Sequence, residues 1–335
     1  MPRSAKLQHC CRAAHPTLHR KVFAMKPILS FLLILLTLTA LLCGCGPRQT
    51  SDDVILYGFQ DDLGRAVAVQ EPKRVACLLG SFAQIWQLAG GQVAATADDA
   101  WDDLNLDLPE DTVNLGNTKE LSLELLLSTQ PDFVLASANT RQNVEWMETL
   151  EAAGIPTAYF DVADFDGYLR LLKLCTDITE RPDLYEQHGL AVQAQIEATL
   201  ARAEARGTAP SVLVMRASAS SVSVKNSQDN VLGEMLADLG CVNIADSDGS
   251  LLENISIERI LEADPDFIFI VQRGDDAEGM RKNVETMMTE NPVWQQLTAL
   301  KEGRLYFMDK TLYNLKPNHR WAEAMEALEE ILENG

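Results

Sequence analysis

One fifteen-residue pattern occurs twice in the 335-residue chain and constrains the fold more than any other feature. Residues 121–135 read Leu-Ser-Leu-Glu-Leu-Leu-Leu-Ser-Thr-Gln-Pro-Asp-Phe-Val-Leu, and residues 255–269 read Ile-Ser-Ile-Glu-Arg-Ile-Leu-Glu-Ala-Asp-Pro-Asp-Phe-Ile-Phe. Six positions coincide: Ser122/Ser256, Glu124/Glu258, Leu127/Leu261, Pro131/Pro265, Asp132/Asp266 and Phe133/Phe267. In each copy the Ser can cap a helix whose first-turn Glu faces the positive end of the dipole. The Pro then stops the helix, and Asp-Phe opens an apolar strand. Upstream, Arg74–Ser81 matches Ser211–Ser218 as a strand ending in a hydroxyl, and Gln84–Gly90 matches Glu234–Gly240 as a helix closed by Gly. Two copies are too few for a solenoid. The expected product is an α/β fold of two Rossmann-like lobes.

Hydrophobic residues make up 47% of the chain, enough to bury a core in each lobe. Residues 1–45 stand apart. From Met25 the chain reads Met-Lys-Pro, then an apolar run from Ile28 to Leu42, then Leu42-Cys43-Gly44-Cys45. The run is shorter than a membrane span and is followed by small residues, as in a secretory signal. The last four residues resemble a bacterial lipobox, which implies cleavage before Cys45 and a lipid anchor on it; an ordinary signal peptide or a short signal anchor is the alternative. Residues 1–24 read as an extension upstream of the true start at Met25. Six basic and no acidic residues precede Cys45, so cleavage takes the net charge from −21 to −27. That charge argues against a nucleic-acid partner. Cys77, Cys175 and Cys241 form no disulfide framework and read as buried hydrophobes.

Residues 46–182 are expected to form the first lobe, beginning with a tether and a β-hairpin around Asp61-Asp-Leu-Gly64. Strands follow at Arg74–Leu79, Val93–Thr96, Phe133–Ala136 and Ile155–Asp161. Residues 183–207 read as one long helix closed by Gly207, spanning about 36 Å as a rigid rod. Residues 208–335 form the second lobe, with strands at Ser211–Arg216, Phe267–Val271 and Arg304–Met308 and a helix near Trp321–Leu332. Trp321 reads as a core residue.

The chain has no G-x-S-x-G, P-loop or G-x-G-x-x-G. After Cys45 only His188 and His319 remain, too few for a multi-histidine metal site. His188 reads as a solvated helix-face residue. His319 reads as an exposed cap at the entry to the final helix, with ligand contact as the alternative. An enzyme is disfavoured, and no catalytic cofactor is expected.

The order of these parts resembles the substrate-binding lipoproteins of ABC importers for iron complexes, haem and cobalamin, whose lobes are joined by a single rigid helix. The likeness covers about residues 54–333: the Asp61–Arg65 hairpin, Pro72-Lys-Arg-Val75, the Leu-Ser-Leu-Glu…Pro-Asp unit, Ala153-Gly-Ile-Pro156 and the long helix. It implies an extracytoplasmic, membrane-anchored monomer that binds a small metal complex in a cleft between the lobes. It further implies that Glu124 and Glu258 dock on the permease, although dipole complementarity alone would explain a first-turn Glu. Gln84 departs from the Glu that many relatives carry there and leaves the ligand class open.

Ligand is expected beyond the carboxyl ends of the strands. The candidates are Ser81, Phe82, Gln84, Trp101, Asn117 and Asn139 from the first lobe, and Arg216, Ser218, Arg273, Tyr313 and Arg320 from the second. Aromatic faces suit a macrocycle or catecholate ring, and Arg suits anionic oxygens. A ferric siderophore or haem is the leading reading. Cobalamin, a hydrolase on a two-lobe scaffold and a sensor or adhesion module remain as rivals.

Overall fold

The computed structural model describes residues 57–335; residues 1–45, where a signal and the lipid-bearing Cys45 are expected, lie outside them. The described chain opens with the antiparallel hairpin β1 (Tyr57–Gln60) and β2 (Ala66–Val69). Asp61 builds its turn: Oδ1 accepts from the amides of Leu63 (3.1 Å) and Arg65 (2.8 Å), and Oδ2 accepts from Tyr159 N (3.2 Å). Gly64 supplies the left-handed conformation the turn needs, at φ +78°. One carboxylate therefore both closes the hairpin and fastens it to the first lobe.

The first sheet is wholly parallel and contains β3 (Val75–Cys77), β4 (Val93–Thr96), β5 (Val113–Asn114), β6 (Phe133–Ser137) and β7 (Thr157–Phe160) in the order β5-β4-β3-β6-β7. Alternation divides its central strand between two cores. Val75 and Cys77 pack with Phe82, Trp86 and Tyr168, while Ala76 packs with Leu115, Leu126 and Leu150 on the other face. The second sheet contains β8 (Ser211–Ala217), β9 (Val222–Lys225), β10 (Val242–Asn243), β11 (Phe267–Gln272) and β12 (Leu305–Met308), in the order β10-β8-β11-β12 with β9 antiparallel on β8. Cys77, Cys175 and Cys241 are all buried thiols.

The duplicated motif has a structural purpose that its spelling did not reveal. In lobe one the Asp132 carboxylate accepts from the amides of Lys73 and Arg74, both at 2.8 Å. In lobe two Asp266 Oδ2 accepts from Ser211 N and Ser211 Oγ, again at 2.8 Å. Each Pro-Asp-Phe unit thus clamps the start of the strand beside it, and in both lobes the Phe stands opposite a Val (Val75↔Phe133, Val212↔Phe267). The caps diverge. Ser122 Oγ accepts from Leu125 N at 3.2 Å as expected, whereas Ser256 turns its hydroxyl to Glu258 Oε2 at 3.1 Å and caps no amide.

The connecting rod also differs from a uniform helix. Pro182–Tyr185 and Ala191–Arg206 are α-helical, but Glu186–Leu190 between them is a wider π turn. At Gly189 a Cβ would meet the Tyr185 ring and Leu169 at 3.1 Å, and the His188 carbonyl accepts from Tyr168 Oη at 2.8 Å. The turn is held where the rod leaves lobe one. Gly207 ends the helix at φ +70°. The rod is fixed to lobe two by Arg206, which pairs with fully buried Glu329 on the Trp321–Asn334 helix and also donates to Leu239 O at 2.7 Å.

Two fourteen-residue helices, Phe165–Ile178 and Ala277–Glu290, occupy stretches that hydrophobic periodicity left unassigned. Both begin with the same cap: Asp164 accepts from Gly167 N at 2.7 Å and Asp276 from Gly279 N at 2.8 Å. A Cβ at Gly279 would lie 2.2 Å from Asp276 Oδ2, so the bent Asp-x-x-Gly cap requires that glycine.

Candidate functional site

The carboxyl ends of the two sheets face each other across the gap between the lobes, and three contacts show it. Beyond β12, Lys310 Nζ donates to Asp103 Oδ1 of lobe one at 2.6 Å. On the helix side, Asn318 Nδ2 donates to Ser81 O (3.0 Å) and Gln84 Oε1 (2.7 Å). Asn318 is fully buried and left-handed at φ +53°, a conformation Asn tolerates better than most residues. Phe165 of lobe one also packs on Trp321, with ring centroids 5.9 Å apart.

Lobe one presents its strand ends through short polar turns. The Gly80–Leu88 helix follows β3 and has Leu79 at its cap position, which offers no side-chain acceptor, so Asp99 Oδ1 accepts from Gly80 N at 2.9 Å. A Cβ at Gly80 would sit 2.6 Å from Ala100 N, so only glycine allows that approach. Burial pushes the Asp99 carboxyl up to about 6 despite this bond. Trp101, half-buried, follows β4; exposed Asn117 follows β5 and reaches Asp98 Oδ2 at 3.5 Å; exposed Asn139 follows β6. Ser81 is 8% exposed.

Lobe two brings cations to its strand ends. Arg216, near the end of β8, has its Nε buried with no hydrogen-bond partner. Desolvation depresses its guanidinium, neighbouring Arg273 adds to the effect, and Asp229 opposes it. Arg273 follows β11, is exposed, and donates its backbone N–H to Ala217 O at 2.7 Å. Ser218 sits beside them, but its hydroxyl lies 2.8 Å from Ser221 Oγ and accepts from Ser221 N at 3.1 Å, so it shapes the β8–β9 turn.

Four sequence candidates serve other ends. Phe82 is fully buried in the lobe-one core, because its place on the helix faces the sheet. Tyr313 is 3% exposed and donates to Ala324 O at 3.0 Å, so it braces the final helix. Gln84 is engaged by Asn318. Arg320 gives both forks to Glu323 at 2.7 Å, and that bond raises its own pKa. His319 is not an exposed cap: its Nδ1 is buried without a partner, and its ring meets that of half-buried His188 edge-on at 6.1 Å. Burial lowers the pKa of both, and His188 further lowers that of His319.

A second group of charges was not visible in the sequence. Glu234, in the first turn of the Val231–Asp238 helix, faces Asp161 and Asp164 of lobe one and Lys316 of the segment that leads back from lobe two. Burial, then Asp164 and Asp238, push its carboxyl up to about 7, and its Oε2 is buried without a partner. Desolvation lowers the half-buried Lys316 ammonium. An adjoining crevice of about 420 Å³ is lined by Asp164, Phe165, Glu234, Asp238, Trp321 and Met325 among others. A similar hollow of about 430 Å³ lies at Lys73, Gly91 and Gln92, before β3 and β4. It sits at the wrong end of a parallel sheet for ligand and away from the cationic residues. Glu124 and Glu258 are both exposed in the first turns of the Leu123–Ser128 and Ile257–Ala263 helices.

Known proteins agree with this architecture. The chain is 26% identical to the Fe(3+)-citrate-binding protein YfmC of Bacillus subtilis over 275 residues, 80% of this chain and 82% of that one. It is 24% identical to a vitamin B12-binding protein of Vibrio campbellii, over 56% of this chain and 69% of that one. Among solved structures, Staphylococcus aureus SirA complexed with staphyloferrin B superposes with a TM-score of 0.64 at 19% identity, over 83% of this chain and 98% of that one. Residues 75–312 match the model of the periplasmic binding protein family, so a two-lobe chain with its polar groups gathered between the lobes belongs to that family.

Proposed function

We propose that the protein is the extracytoplasmic substrate-binding component of an ABC importer and captures an anionic iron complex, a ferric hydroxycarboxylate or siderophore, between its lobes. The observation that carries this reading is Arg216, whose Nε is buried, unpartnered and set beside a second guanidinium, Arg273. Buried charged donors are rarely left unsatisfied, and forked guanidinium donors match carboxylate oxygens. The relative named for ferric citrate supports the same ligand chemistry. Members of this family bind solutes without transforming them. On the lobe-one side Trp101, Asn117 and Asn139 offer an aromatic face and neutral donors.

Titration with ferric citrate, a ferric tris-catecholate, haem and cobalamin, followed by tryptophan fluorescence, tests the ligand class. Saturable binding of either ferric complex and its loss in Arg216→Ala is expected. Saturation by cobalamin alone, with the variant unaffected, would reverse the reading. In the same proposal Cys45 carries the lipid anchor, and exposed Glu124 and Glu258 meet the permease. Replacing both by Ala leaves affinity intact and abolishes uptake; undiminished uptake refutes their docking role.

A further inference from the structure

Among the described residues, Lys310 makes the one side-chain ion pair between the strand ends of the two lobes. Its Nζ donates to Asp103 at 2.6 Å and to Asp275 at 2.5 Å. The Lys310 and Asp103 side chains are 15% and 21% exposed, whereas Asp275 is 89% exposed. Solvent screens the Asp275 partner far more than the Asp103 one.

Sheet register places Lys310 in a row. Arg216 on β8 stands opposite Val271 on β11, and Val271 stands opposite Met308 on β12. Arg273 and Lys310 each lie two residues beyond those partners, just past the ends of β11 and β12, and Asp275, two residues after Arg273, accepts from Lys310 Nζ at 2.5 Å. Three adjacent parallel strands thus carry a cation at or just past their carboxyl ends: Arg216 is one residue before the end of β8, Arg273 follows β11, and Lys310 opens the Lys310–Tyr313 helix after β12. Clustered cations are unexpected in a chain of net charge −21. Arg216 and Arg273 repel each other, and Lys310 is neutralised by carboxylates.

We propose that Lys310 is the third anion-binding residue of the site and determines its preference for polyanionic iron complexes, with Asp103 competing for its ammonium. The inference rests on the receptor reading above. A complex with carboxylates on two sides reaches Arg216 and Arg273 first and then draws Lys310 away from Asp103. A neutral or singly charged complex has less to offer in place of that bond and leaves it intact. The bridge thereby acts as a threshold on ligand charge.

The test uses the full chain with ferric citrate as probe. Lys310→Met weakens binding about tenfold, the loss of one charge-assisted contact. Asp103→Asn strengthens it about threefold, since the competing pair is largely a screened one. Asp103→Asn in the Lys310→Met background changes nothing further. Asp103→Asn weakening binding as much as Lys310→Met would overturn the competition in favour of a simple clasp, and equal affinity in Lys310→Met would remove Lys310 from the site. A readout without ligand checks the bridge itself: hydrogen exchange of residues 98–104 and 309–313 quickens in both single variants, and unchanged rates would sink the proposal. If the wild type binds no ferric complex at all, the receptor reading fails as well; if it binds and Lys310→Met binds equally, only the present inference fails.

Discussion

The two lobes use one scaffold and finish it with opposite charge. Asp132 and Asp266 do the same work, fastening the start of a neighbouring strand by accepting from its first groups. Beyond the strand ends the likeness stops: lobe one presents Asp98, Asp99 and Asp103, and lobe two presents Arg216, Arg273 and Lys310. A further pair of matched positions makes the same point, since Gln84 in the first lobe is neutral and spent on Asn318, while its counterpart Glu234 is a carboxyl that burial pushes up to about 7. Residues that a parallel sheet needs for closure recur in both copies. Residues at the carboxyl ends carry no such burden and can be specialised separately.

The largest effect expected from breaking this comparison is at the rod, which is fastened to lobe two by a buried ion pair. Removing Arg206 leaves Glu329 buried and uncompensated, so Arg206→Ala should cost about 3–5 kcal/mol in urea unfolding. A cost under about 1 kcal/mol would show that the pair is solvated and the asymmetry of the rod illusory.

Next come the strand ends. Arg216→Ala should weaken ferric citrate binding by about two orders of magnitude, in the range for a buried hydrogen bond to charge. Asn139→Ala, on exposed lobe-one ground, should change it less than about threefold. Equal losses would mean that the lobes share recognition evenly.

The two aspartate clamps should behave alike. Asp132→Ala and Asp266→Ala should each lower stability by about 1–2 kcal/mol, the value of two accepted hydrogen bonds at partly solvated sites. Asp266 is the more shielded of the two and should fall at the upper end. A clamp whose removal is silent would break the equivalence.

The last effect is a pH slope, which solvent screening at the half-buried Glu234 holds down. Glu234 titrates in the fold near 7 rather than at the ordinary 4.5, so between those values the folded chain holds a proton that the unfolded chain has lost. Its contribution to stability therefore declines as pH rises from about 4.5 through 7. Glu234→Gln should flatten that part of the stability curve and raise stability above pH 7, measured by thermal melts across pH. Gln84→Glu, at the matched lobe-one position, should introduce a slope of the same sign. An unchanged slope in Glu234→Gln would assign the linkage to Asp99, whose carboxyl is pushed up to about 6.

The hairpin at Asp61–Arg65, both copies of the Pro-Asp-Phe unit and the apolar strands were legible because each is a local pattern: period two, a turn glycine, or a helix stop before an apolar run. The helices Phe165–Ile178 and Ala277–Glu290 were missed on hydrophobic period, although the Asp-x-x-Gly caps at Asp164 and Asp276 were readable signals. Phe82 and Tyr313 looked like ligand contacts from proximity to strand ends. Which side of a helix faces the sheet decided otherwise.

By itself the sequence determined that the chain folds as two related α/β halves, because strand and helix periods and their punctuation act over a few residues. It did not determine which polar groups at the strand ends would be spent on structure and which left for a guest. Asn318 reaching across to Ser81 and Gln84, Lys310 reaching Asp103, and Glu234 facing Asp161 and Asp164 join residues far apart in the chain. Only the tertiary structure decided those pairings, since burial and the approach of opposing charges arise when the lobes are brought together.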